Sequence, residues 1–182
     1  MVRETHTCAI GDRVPDFELP GVDGEVYHLS PYRQKFQAIG VIFMCNHCPE
    51  VRYYLGRLQQ IQAEFAGQGF TLMGINANDA DRFPEDSFEN MKCFAAEKQF
   101  AFPYLRDSSQ DVARGFGASS TPEVFLIDRD GRLRYRGAID DSLDDSAVQQ
   151  PYFRQAIAAL LSNAEIVPSV TNAVGCALKW RE

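Results

Sequence analysis

Two cysteines three residues apart, within Cys45-Asn46-His47-Cys48-Pro49, are the residues of this 182-residue chain whose types and spacing most directly imply chemistry. A thiolate at this spacing can attack a disulfide and be resolved by its neighbour, so the pair cycles between dithiol and disulfide. The apolar run Phe36 to Met44 before it reads as a buried strand. Val51, Tyr54, Leu55, Leu58, Ile61 and Phe65 after it recur as one face of a helix. The pair therefore sits where a strand hands over to a helix. The first helical N–H groups have no intrahelical partner there, and the helix dipole is positive, which favours thiolate over thiol. His47 has two readings: an imidazolium that stabilises the thiolate and makes the disulfide easier to reduce, or a solvated residue at a helix start that disfavours the cation. Pro49 suits the first helical position, which leaves open whether Cys48 or Cys45 is the N-cap and so the better-activated thiol.

A zinc site is the plainer use of a C-x-x-C, but such a site normally takes four ligands and a second pair. Cys8, Cys93 and Cys176 are scattered singly, and of the three histidines only His47 is near the pair. No bound metal or cofactor is expected. With 18 basic against 25 acidic residues, net charge −7 and no basic cluster, a nucleic-acid partner is not expected either. The N-terminus, Met1 to Cys8, is polar and lacks the apolar core of a signal peptide. No apolar run approaches the ~18 residues of a membrane span. The expectation is a cytoplasmic protein without a membrane partner, in which a disulfide is transient and catalytic.

The positioning elements follow in order. Asp16 to Pro20 and Val26 to Leu29, separated by Gly21-Val22-Asp23-Gly24, predict a hairpin before the core. Phe70 to Asn76 predicts a second buried strand, parallel to the first through a right-handed crossover, with the Asn76 to Arg82 loop at the carboxyl end where ligands collect in open α/β sheets. Asp86-Ser87-Phe88-Glu89 fits a capping box with Asp86 as N-cap of a helix reaching about Gln99. Cys93 falls off that helix's core face. Ser109 to Gly115 predicts a short helix, and Ser119 to Ile127, read as one strand introduced by Pro122, then turns through Asp128-Arg129-Asp130-Gly131 into an antiparallel partner. Tyr152 to Leu161 closes the fold as a helix, and Asn163 to Glu182 has no clear periodicity. The expected organisation is a flexible 1–9, a domain over 10–162 and a tail over 163–182 packed on it.

Strand–CxxC–helix, Thr121-Pro122 opening a later strand, and the D-x-D-G turn together resemble the thioredoxin fold. The N-terminal hairpin and inserted helix resemble its redoxin branch of peroxiredoxins and TlpA-like oxidoreductases. Met44 to Pro49, Asn78-Asp79 with Phe83 to Ser87, and Gly175 to Trp180 resemble the peroxiredoxin-like "thioredoxin family" proteins, over about Ile10 to Trp180. The resemblance implies an α/β, three-layer fold with a central mixed β-sheet, with Cys45 as attacking thiol and Cys48 as resolving thiol. Thr121-Pro122 is implied to be a cis-proline loop that takes the substrate backbone. Two departures stand out. Where thioredoxins bury an acid six residues before the first cysteine, this chain has Ile39. The peroxidatic Pro-x-x-x-Thr-x-x-Cys loop has no match either, since counting back from Cys48 gives Cys45 and Val41, and from Cys45 gives Ile42 and Ala38.

The expected function is thiol–disulfide exchange at Cys45–Cys48 on a disulfide-containing protein or small thiol, with an electron donor left open and a monomer or homodimer as the active form. The rivals are a thiol peroxidase and a non-enzymatic soft-metal module holding Cu(I) through Cys45, Cys48 and His47 or Cys176. Cys176 is either a third redox cysteine or a small buried hydrophobe anchoring the tail with Leu178 and Trp180. Cys8 is expected to be incidental.

Overall fold

A computed structural model describes residues 7–182. The first elements are β1 (Glu18–Pro20) and β2 (Val26–His28), an antiparallel hairpin, then the short α1 (Leu29–Arg33). The run before the cysteines is β3 (Ala38–Phe43), buried along its whole length. α2 (Pro49–Phe65) follows and buries Val51, Tyr54, Leu55, Leu58, Ile61 and Phe65, the face that the spacing predicts. It passes through a 3₁₀ turn into Gly69, whose left-handed φ of 85° suits glycine. β4 (Phe70–Asn76), α3 (Phe88–Glu97), β5 (Tyr104–Arg106), α4 (Asp111–Phe116), β6 (Ser120–Thr121), β7 (Glu123–Asp128), β8 (Leu133–Gly137), α5 (Tyr152–Leu161) and β9 (Cys176–Ala177) complete the order.

The central sheet runs β5-β4-β3-β7-β8. β3 pairs parallel with β4 and antiparallel with β7, so the sheet is mixed, as expected. Side chains alternate along β3. Ile39, Val41 and Phe43 enter a core with α4 and the N-terminal hairpin, and Ala38 and Ile42 enter the other with α2, α3 and α5. These are the three layers of the thioredoxin-like fold. Gly40 is where α5 presses closest, since a Cβ there would meet Phe153 at 2.6 Å and Leu72 at 2.8 Å. Leu58, fully buried at the centre of α2, is a fixed point for the helix that carries the site; truncating such a side chain to alanine costs about 2–5 kcal/mol.

Three expectations need correction. α3 begins one residue later than the capping box implies: Ser87 is its N-cap and accepts from Asn90 N–H at 3.3 Å, while Asp86 ends a preceding 3₁₀ turn. The strand introduced by Pro122 is two strands, with Ser120–Thr121 turned aside to pair with β9 in the tail. Cys8 is no part of a loose end, because its side chain is buried against the β1/β2 side of the sheet. Residues 1–6 of the expected flexible segment lie outside the described residues.

Candidate active site

Cys45 follows the end of β3, and Cys48, in extended conformation at φ −66° and ψ 122°, is the N-cap of α2 with Pro49 in the first turn. The helix-start position therefore belongs to Cys48, whereas the resemblance favours Cys45 as the attacking thiol. Both cysteines are fully buried. Cys45 Sγ lies 3.4 Å from Thr121 Oγ1. Cys48 Sγ lies 3.2 Å from the Thr121 carbonyl oxygen, 3.1 Å from Glu50 Oε2 and 2.7 Å from Cys176 Sγ. All five thiols are free.

Asp86 is the residue that sequence reasoning missed. Its carboxylate, 0% exposed, is a buried acid on the Cys45 side that the Ile39 position does not supply. Oδ1 accepts from Asn46 N–H at 2.7 Å and from Asn76 Nδ2 at 3.2 Å, and Oδ2 accepts from Asn78 Nδ2 at 2.9 Å. His47 Nδ1 is 2.7 Å from Asp86 Oδ2, with the oxygen off the N–H axis, so this is a close polar contact rather than an aligned hydrogen bond. The His47 ring is about a quarter exposed (28%) and lies parallel to Phe83 at 6.1 Å, which makes it a seated side chain and not a solvated one. Asn46 is held on every polar group: its Nδ2 donates to Glu85 O at 2.8 Å, its Oδ1 accepts from Tyr104 OH at 2.8 Å and its carbonyl accepts from Arg52 Nε at 3.0 Å. A residue whose polar groups are all matched has little freedom to reorient. Cys45, His47 and Asp86 offer ligand atoms within 4.8 Å of one another, as do Cys48, Glu50 and Cys176.

Opposite the cysteines, the Thr121–Pro122 peptide bond is cis. Its loop is tied down by Glu123, which accepts from Ser119 N–H at 2.8 Å and pairs with Arg136 at 3.1 Å. The tail then runs along Thr121, with Cys176 as its antiparallel partner and Leu178 N–H donating to Ser119 O at 2.9 Å. Leu178 is buried and the Trp180 ring packs on the same core, which anchors the tail there. Cys176 itself is half-buried and meets Cys48. Cys93 is exposed on α3, with no role here.

The two sulfurs of the C-x-x-C are driven apart in ionisation. Cys48 is lowered to about 5, first by the neighbouring Cys45 thiol; burial opposes this, while the Cys176 thiol and the Val51 N–H at the helix start add to it. Cys45 is pushed far up, by holding the shared proton, by burial and by the nearby Asp86 charge. Cys176 is raised to about 12, by burial first and then by its contacts with Cys48 and Glu50. Cys48 is thus the most acidic of the three thiols, with Cys45 and Cys176 both raised beside it.

Residues 10–136 match the model of the AhpC/TSA family. The chain belongs to that family. Within and around the AhpC/TSA family, it is 26% identical over 136 residues to "Thiol-disulfide oxidoreductase ResA" of Geobacillus thermodenitrificans, covering 72% of this chain and 70% of that protein. It is 29% identical over 139 residues to "Thiol:disulfide interchange protein DsbE" of Escherichia coli, covering 74% and 68%. A hypothetical protein of Sinorhizobium meliloti has the same fold over 97% of both chains, with a TM-score of 0.89 and 34% identity.

Proposed function

We propose that this AhpC/TSA-family protein is a thioredoxin-like thiol–disulfide oxidoreductase in which Cys48 attacks and Cys45 resolves. The single observation that carries the reading is the position of the paired sulfurs between the start of α2 and the Thr121–Pro122 loop, with Cys48 at the helix N-cap, where its thiol is made more acidic. The Cys48 thiolate attacks one sulfur of a substrate disulfide, and the other substrate sulfur leaves as thiolate and takes a proton. Cys45 then gives up its proton and attacks Cys48 Sγ, forming Cys45–Cys48 and expelling the second substrate thiolate. The substrate leaves with two thiols and the protein with one disulfide. The relatives named as oxidoreductases and interchange proteins support protein disulfides as the substrate class. The buried Asp86 network holds the Asn46–His47 segment in place beneath this exchange.

The test is to mix the fully reduced protein with a protein disulfide such as insulin, and separately with hydrogen peroxide, at neutral pH, following thiol loss and mapping products by mass spectrometry. Rapid consumption of the protein disulfide with a Cys45–Cys48 product is expected, with peroxide reacting no faster than with a free thiol. Rapid sulfenic acid formation with peroxide, with the protein disulfide untouched, would replace this reading with a peroxidase.

A further inference from the structure

Cys176 is placed by a built segment of chain. Upstream, residues 169–171 are fixed on β8, with Arg136 N–H donating to Ser169 O at 3.0 Å and Thr171 N–H to Arg136 O at 3.0 Å. Downstream, Lys179 N–H donates to Asn78 Oδ1 at 2.9 Å, and Asp79 N–H donates to Lys179 O at 2.9 Å. Between these anchors the chain adds a strand to β6, with Thr121 opposite Cys176 and Ser120 opposite Ala177. Gly175 lets it come that close, because a Cβ there would collide with the Thr121 carbonyl oxygen. An extended segment paired to an exposed edge is how a peptide ligand binds such a strand. Here the segment is the protein's own and it brings a thiol to the sulfur that carries the charge.

We infer that Cys176 is a third redox cysteine, which takes Cys48 from the Cys45–Cys48 disulfide and forms a Cys48–Cys176 disulfide on the tail side of the site. This rests on the exchange reading above. Cys176 gives its proton to the Glu50 carboxylate, 3.3 Å from its sulfur, and attacks Cys48 Sγ. The Cys48–Cys176 bond forms, the Cys45–Cys48 bond breaks, and the electron pair leaves on Cys45, which takes a proton from water. No outside oxidant or reductant enters, because the step only moves an existing disulfide. Tethering makes the attack intramolecular, with an effective concentration in the millimolar range or above. The consequence is a disulfide that starts beneath the loop and ends at a half-buried cysteine, where a reducing thiol has better access.

The experiment maps disulfides in the full chain and in Cys45→Ser. Each is reduced, oxidised with one equivalent of diamide, alkylated with iodoacetamide and digested without reduction. Trypsin places Cys45 and Cys48 on the peptide 36–52 and Cys176 on 155–179, so the two disulfides give different products. In Cys45→Ser most of the protein should yield 36–52 joined to 155–179, and the Cys45→Ser/Cys176→Ser double variant should lose that product. In the wild-type protein the joined peptide, with Cys45 alkylated, should accompany the internal Cys45–Cys48 product. Recovery of Cys176 fully alkylated in wild-type protein whose Cys45–Cys48 pair is oxidised would overturn the inference and leave the exchange reading standing. Should Cys45→Ser fail to fold by circular dichroism, the wild-type map alone decides. A wild-type protein that reduces no protein disulfide defeats the exchange reading separately.

Discussion

The two cysteines of one five-residue motif live in different surroundings. Cys45 faces the Asp86 side, where the Asn46, Asn76 and Asn78 groups around the carboxylate are bonded and the His47 ring is seated against it. Cys48 faces the tail side, where a helix start, a carboxylate and a third thiol meet around one sulfur. The first side is a scaffold of asparagines hydrogen-bonded around one buried carboxylate. The second is a set of groups that exchange protons. Pairs of titratable groups whose environments push their protons in opposite directions mark an assignment of roles, and this difference is what the proposed attack by Cys48 and resolution by Cys45 rest on.

The largest break in that comparison comes from removing Cys48. Cys48→Ser should lower the rate of protein-disulfide reduction by more than about 10³-fold, to background, measured with insulin under pseudo-first-order conditions. Asp86→Asn strikes the scaffold side and should act on two readouts. A carboxamide in place of the carboxylate sets a donor against a donor in a buried site, costing about 1–3 kcal/mol, or roughly 2–4 °C of Tm per kcal/mol in a chain of this size, read by thermal melting. The Asp86 charge also holds the Cys45 proton on, so Cys45 should alkylate faster in the variant at the same pH. Wild-type melting and wild-type labelling would show that the two sides are not distinct. Glu50→Gln is the mildest change. Glu50 raises both Cys48 and Cys176, so the variant should label Cys176 a few-fold faster at pH 8, with Tm almost unmoved because Glu50 is only half-buried.

Much of the frame was legible in the sequence. The apolar run into Cys45, the buried face of α2, the β3/β4 crossover and the Thr121-Pro122 turn follow from periodicity, spacing and resemblance, because each is a local pattern that tertiary packing reinforces. What was not legible depends on distance along the chain. Asp86 reads as a helix cap because Asp86-Ser87-Phe88-Glu89 fits the capping pattern one residue out of register, and nothing nearby says that its carboxylate turns inward to Asn46, 40 residues away. The usable signal was the polar cluster Asn76, Asn78 and Asp86 at and beyond the carboxyl end of β4, where such sheets gather ligands. Cys176 was an open choice because an aperiodic tail carries no register. The pairing with Thr121 supplies it. Cys8 is buried because residues 9–14 add to the β8 side of the sheet, through Gly11 N–H to Leu133 O at 2.8 Å and Leu133 N–H to Asp12 O at 2.9 Å.

The most direct measurement is the rate of iodoacetamide labelling at each sulfur of the reduced protein between pH 4 and 9, located by fragmenting the peptide 36–52. A group whose folded pKa is lowered is ionised above that value, so Cys48 labelling should be half-maximal near pH 5 and flat from about pH 6.5 to 8. Cys45, pushed up, should label more slowly throughout and rise only at the alkaline end. Labelling that begins at Cys45 with the low midpoint, and leaves Cys48 slow until alkaline pH, would contradict the assignment and restore Cys45 as the attacking thiol.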